Sequence, residues 1–119
     1  MVFVALSRLA CLLACLGTFI AVAQPASAQG NKCAQEAESI RRAEAQLPRL
    51  EVAPPGDQQI VCITLETNIL FARRLAAHVA HCPRSPHARK AGSWERASSE
   101  YTSQFGDRRC KPAIRSYRG

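Results

Sequence analysis

The chain has 119 residues and a formal net charge of +7, from sixteen basic and nine acidic side chains. A chain of this length leaves no room for a second domain and can bury only a small core. The basic balance favours anionic partners, such as phosphates, lipid headgroups or acidic proteins.

The first 28 residues have the three-part pattern of a secretory signal peptide. Arg8 precedes an apolar run over residues 9–23, and a small-residue tripeptide ends at Ala28. The run, at about 15 residues, is shorter than the roughly 20 that span a bilayer. We therefore predict cleavage after Ala28, export to the periplasm or the medium, and no transmembrane segment in the mature chain.

The mature chain from Gln29 is expected to form a single helical domain, and its first helix is predicted over residues 32–47. Asn31 can cap the start of this helix, and Pro48 cannot continue it. Small or apolar side chains recur at helical spacing between these limits, at Cys33, Ala37, Ile40, Ala43 and Leu47.

The second predicted helix, residues 58–82, is the longest coherent segment. Asp57 is a suitable N-cap, and Pro83 ends the segment. The opening residues are β-branched and would suit a strand, but continuity with the helical pattern that follows favours one helix. The predicted apolar stripe comprises Val61, Leu65, Ile69, Ala72, Ala76 and Val79, with Glu66, Arg73 and His81 on the opposite side.

The third predicted helix, residues 94–105, follows a loop over residues 83–93. Ser93 is the expected N-cap and Gly106 the expected stop. A basic tail, residues 106–119, completes the chain. One face of the helix carries most of the aromatic area of the mature chain, at Trp94, Ala97, Tyr101 and Phe105.

Three helices with short connections predict an all-α, up-down-up bundle. Four cysteines remain after cleavage, and an even number in a short exported chain indicates two disulfides. Cys62 and Cys82 cannot pair, because twenty residues of helix separate them by about 30 Å. The antiparallel layout favours Cys33–Cys82 with Cys62–Cys110. The sequential alternative, Cys33–Cys62 with Cys82–Cys110, requires parallel neighbours or a broken central helix.

All three histidines, His78, His81 and His87, lie in residues 78–90, together with Cys82. His78 and His81 share a helix face, so the group could supply zinc ligands. However, the predicted disulfide occupies Cys82, no second close pair of ligands is present, and a helix C-terminus favours protonated histidine. We therefore predict surface histidines with neither a bound metal nor a cofactor.

Catalytic motifs give no support to an enzyme. The sequence contains no C-x-x-C pair, no G-x-S-x-G elbow and no phosphate-binding loop. A cysteine nucleophile would need a free thiolate, which the expected disulfides oppose. We predict a protein without enzymatic activity.

Basic residues concentrate in the loop before the third helix and in the tail. The leading expectation is an exported interaction protein of the cell envelope that binds an anionic component or an acidic protein, and export disfavours nucleic acid. The alternatives are a metal-binding or stress-response protein that uses the three histidines, and a small inhibitor protein. The sequence specifies no oligomeric state. The candidate binding residues are Arg84, Arg89, Lys90, Arg108, Arg109, Lys111 and Arg115.

Overall fold

The structure, a computed structural model, describes residues 26–114, with side chains from residue 28 onward. Three α-helices, α1 (Ala26–Ala45), α2 (Gln58–His81) and α3 (Ala91–Asp107), account for most of this range. Two short 3-10 helices, Leu50–Val52 and Pro86–Lys90, lie in the connections. The regular structure of the described residues is thus entirely helical, as the sequence predicts.

The predicted signal peptide, residues 1–28, lies outside the described residues except for its last three. These three belong to α1, which continues through the predicted cleavage point between Ala28 and Gln29. In residues 26–114, no helix combines the length and the apolar character needed to cross a membrane.

The helix limits differ from the predictions at both ends of α1 and of α3. Helix α1 ends at Ala45, two residues before the predicted end, and α3 continues through Gly106, the predicted stop, to Asp107. Because α1 begins at Ala26, Asn31 lies inside the helix and is not its N-cap. Because the loop before α3 folds into a 3-10 helix that leads directly into it, α3 begins at Ala91. Ser93 therefore lies in the first turn of α3, where its hydroxyl donates to the Lys90 carbonyl. The start of α2 is as predicted, with the Asp57 carboxylate accepting a backbone N–H from residue 60 at 3.1 Å.

Both predicted disulfides are confirmed. Cys33 is bonded to Cys82 and Cys62 to Cys110, with Cα–Cα distances of 5.8 and 5.5 Å. The first disulfide joins the first half of α1 to the residue that follows α2, and the second joins the residues just after α3 to the beginning of α2. Helices α1 and α3 therefore both run antiparallel to α2.

The centre of the core lies where the three helices meet. Ile40 of α1 packs against Phe71 and Leu75 of α2, and all three side chains are buried. Trp94 of α3 contacts Phe71 edge to face, with ring centroids 4.7 Å apart. Aromatic contacts of this kind stabilise a core beyond the apolar area that they bury.

The buried surface of α2 is wider than the single predicted stripe. Because α1 and α3 cover different sides of α2, Phe71 and Leu75 are buried although they lie outside that stripe, whereas Ala76 is exposed. Glu66, predicted on the solvent side, is also buried. Four predicted core positions are buried as expected, namely Val61, Leu65, Ile69 and Ala72.

The turn that ends α3 places Arg109 in the left-handed region, with a φ of 54°. The backbone N–H of Arg109 donates to the Gly106 carbonyl, and the next N–H donates to the Phe105 carbonyl. This conformation is costly for a residue with a Cβ atom, and glycine adopts it freely.

Arg109→Gly should therefore raise the free energy of unfolding by about 0.5–1 kcal/mol, since the relief of strain outweighs the extra freedom of glycine in the unfolded chain. Urea denaturation measures the change. Arg108→Gly is the matched control, because it removes the same charge at a φ of −80° and should destabilise the protein. Equal effects of the two substitutions would contradict the strain argument.

Candidate functional site

The backbone of the basic tail is fixed to α2 close to the end of α3. The side-chain amide of Gln58 donates to the Arg108 carbonyl at 2.7 Å, and the disulfide of Cys110 with Cys62 follows two residues later. The chain therefore leaves α3 along the beginning of α2 and not into solvent.

The buried carboxylate of Glu66 holds the next part of the tail. It accepts the backbone N–H of Ala113 at 2.9 Å and that of Ile114 at 3.1 Å. A buried charge needs such partners, because removal from water without them is costly. The sequence patterns missed this contact, since its donors are backbone groups 47 and 48 residues away from the acceptor.

The cationic side chains of this fixed segment remain free. Arg108, Arg109 and Lys111, which we call the tail cluster, are exposed and make no side-chain hydrogen bond or ion pair with the residues described here. Asp107, also exposed, is the adjacent acid. Arg115, which was predicted to belong to this group, lies outside the described residues.

The basic loop before α3 has fewer free cations than predicted. Arg84 and Arg89 are exposed, but Lys90 binds the Glu44 carboxylate of α1 at 2.8 Å. The hydrogen bond from Lys90 lowers the pKa of Glu44. The loop and the tail cluster lie at opposite ends of α3, whose 17 residues extend over about 25 Å. The cationic candidates therefore form two separate groups.

The histidines are arranged differently from the prediction. His78 and His87 are buried, so the prediction of surface histidines is wrong for these two, while His81 is exposed. The Nε2–H of His87 donates to the Ala37 carbonyl at 2.8 Å, which satisfies this nitrogen inside the core. His87 therefore serves to attach the loop to α1.

A carboxylate that the sequence patterns did not single out joins the other two histidines. Glu36 Oε2 lies 3.1 Å from His78 Nδ1 and 2.8 Å from His81 Nε2. These hydrogen bonds, the one from His78 first, hold the pKa of Glu36 below its ordinary value. The ionised carboxylate accepts, so each of the two ring nitrogens carries a proton. We call Glu36, His78 and His81 the His–Glu cluster.

The second ring nitrogen of His78 is also held. His78 Nε2 lies 2.8 Å from Ser85 Oγ, and the same hydroxyl accepts the backbone N–H of His87 at 3.3 Å. Serine, histidine and glutamate are connected in the order of a hydrolytic relay. However, the capping of the short helix Pro86–Lys90 by Ser85 already explains where the hydroxyl lies.

Cys82 lies beside the His–Glu cluster but cannot act as a thiolate. Its sulfur is within 4.8 Å of the ligand atoms of Glu36, His78 and His81. Since it is bonded to Cys33, its role is to fix α1 against the end of α2. Glu36 comes one turn after Cys33 and His78 one turn before Cys82, so the disulfide brings these side chains together.

Comparison with protein-family models, with curated proteins and with solved structures finds no match for this chain.

Proposed function

We infer that the chain is an exported, non-enzymatic binding protein of the cell envelope that attaches to an anionic surface or an acidic partner, with the tail cluster as its main contact. The confirmed disulfides support export, because such bonds persist in oxidising compartments. The basic loop contributes Arg84 and Arg89 as a second, weaker contact.

One observation carries this proposal. Three exposed cations within four residues are attached to a backbone that Gln58, Cys62 and Glu66 hold in place. A fixed backbone reduces the entropy lost on binding, so the charges are organised before a partner arrives.

The two adjacent arginines of α1 do not form a comparable surface. Arg41 and Arg42 both bind Glu38, at 2.7 and 3.1 Å. The hydrogen bond from Arg41, together with that from Arg42, lowers the pKa of Glu38 to about 2. An anionic partner would have to displace Glu38 before it reached these guanidinium groups.

The test is binding to vesicles that contain phosphatidylglycerol, compared with binding to polyglutamate, across a range of salt concentrations. Substituting Arg108→Gln together with Lys111→Gln should weaken binding to the favoured probe roughly 30-fold, since each cation at an anionic bilayer contributes about 1 kcal/mol. Arg109 is retained so that backbone strain stays constant. Affinity should fall steeply as salt rises.

The matched control is Arg73→Gln together with Arg96→Gln. Both arginines are exposed and form no ion pair within residues 26–114, and Arg96 lies about 18 Å from Arg108 along α3. This variant has the same net charge as the test variant and should lose less than threefold in affinity. Equal losses of affinity in the two variants, or an affinity that does not change with salt concentration, would refute the proposed contact.

A further inference from the structure

The His–Glu cluster has the composition and spacing of a metal site. Two imidazoles and one carboxylate are a ligand set that zinc and copper accept. In a tetrahedral site with bonds of 2.0–2.1 Å, ligand atoms lie about 3.3 Å apart. Glu36 Oε2 is already 3.1 and 2.8 Å from the two ring nitrogens, and these nitrogens lie within 4.8 Å of each other, so side-chain adjustments of at most about 1.5 Å give the tetrahedral spacing.

We propose that Glu36, His78 and His81 bind one divalent transition cation, Zn²⁺ or Cu²⁺. The cation bonds to Glu36 Oε2, His78 Nδ1 and His81 Nε2 and replaces the two protons that now connect the carboxylate with the rings. Each ring is neutral before and after the cation binds, because the proton that leaves the metal-bound nitrogen moves through water to the other nitrogen of the same ring, and no net proton is released. This site is independent of the anion contact proposed for the tail cluster.

Ser85 makes this change of proton position possible for the buried ring. Without a cation, His78 Nε2 accepts from the Ser85 hydroxyl, because Nδ1 carries the proton. With a cation on Nδ1, the proton lies on Nε2 and donates to the same oxygen. A hydroxyl both donates and accepts, so His78 keeps this partner in either state. Such outer partners orient metal-bound histidines in proteins.

A cation can enter this site from solvent. The side chain of His81 is 54 % exposed and that of Glu36 is 34 % exposed, whereas His78 is 2 % exposed. The cluster opens on a cleft of about 320 Å³ that Arg74 also lines. Three protein ligands leave a fourth position open towards this cleft, where water or a small anion near Arg74 can complete the coordination.

The disulfide beside the cluster sets the distance between its two helices. Cys33 precedes Glu36 by three residues, and Cys82 follows His81 directly. The ligand from α1 and those from α2 are thus held near each other before a metal binds. His87, the third member of the predicted histidine group, lies outside the set of ligand atoms that are within 4.8 Å of one another, and its Nε2–H is committed to the Ala37 carbonyl.

Calorimetric titration of the untagged, oxidised protein with ZnCl2, and separately with CuCl2, in metal-free buffer tests the site. One equivalent should bind with micromolar or tighter affinity. His81→Ala and Glu36→Gln should each weaken binding at least tenfold, and native circular dichroism of both variants excludes unfolding as the cause. On addition of zinc, nitrogen NMR of the imidazoles should show shifts of the His78 Nδ1 and His81 Nε2 resonances, because these two nitrogens exchange a proton for the metal.

Two variants serve as controls. Glu44→Gln removes the same charge two turns later on α1, and His87→Gln keeps an N–H donor for the Ala37 carbonyl. Both should retain the affinity of the parent, with native circular dichroism as the check on folding. The proposal fails if neither cation binds below millimolar concentration, if His81→Ala and Glu36→Gln bind like the parent, or if the controls lose affinity equally.

Discussion

Replacing Cys62 and Cys110 together by alanine should lower the free energy of unfolding by about 4 kcal/mol. The bond closes a loop with a sequence separation of 48 residues, and cross-linking a loop of this size removes that much conformational entropy from the unfolded chain. For a domain this small the loss is a large part of its total stability. Urea denaturation of the parent and the variant at pH 7 measures the difference. A loss below 1 kcal/mol would show that the helices and the Glu66 contact hold the tail without the covalent bond.

Replacing Cys33 and Cys82 should cost a similar amount, because the sequence separation of 49 residues is nearly the same. Cys82 is buried, so its replacement also loses some packing. The two variants therefore have comparable stabilities but lose their cross-links at opposite ends of α2. In a binding measurement each variant therefore controls for the loss of stability in the other, since only the place of the missing cross-link differs.

Leu75→Ala should destabilise the protein by about 3 kcal/mol, the largest effect that we expect of any single substitution. The side chain is 1 % exposed and packs between α1 and α3 beside Ile40 and Phe71, so its loss leaves a cavity that the fixed helices cannot close. Thermal and urea unfolding measure the change. Val52→Ala provides the comparison, because Val52 is 75 % exposed and its truncation should change stability by less than about 0.5 kcal/mol. Similar losses in the two variants would contradict the position of the core.

The helices and the cysteine pairing could be predicted because both depend on regular spacing. The helical period places Val61, Leu65 and Ile69 on one buried face, and the helical rise excludes a bond between Cys62 and Cys82. The burial of Glu66 could not be predicted in this way. It depends on the backbone N–H groups of Ala113 and Ile114, which donate to Glu66. A contact between residues so far apart in sequence has no local sequence pattern that predicts it.

The His–Glu cluster could be predicted only in part. The spacing of His78 and His81 placed them on one helix face, but neighbours in sequence suggested His87 and Cys82 as their companions. The structure replaces these with Glu36 from another helix. The predicted disulfide contained this information, since an antiparallel pair joined at Cys33 and Cys82 brings the turn after one cysteine against the turn before the other.

We propose that each disulfide organises one of the two proposed binding sites. The most direct measurement determines zinc affinity and anionic-probe affinity in the two disulfide variants, at a temperature where both retain native circular dichroism. Loss of the bond between Cys33 and Cys82 should weaken zinc binding at least tenfold and leave anion binding within twofold of the parent. Loss of the bond between Cys62 and Cys110 should weaken anion binding at least tenfold and leave zinc binding within twofold of the parent. Parallel losses of both affinities, or no loss of either, would contradict the claim.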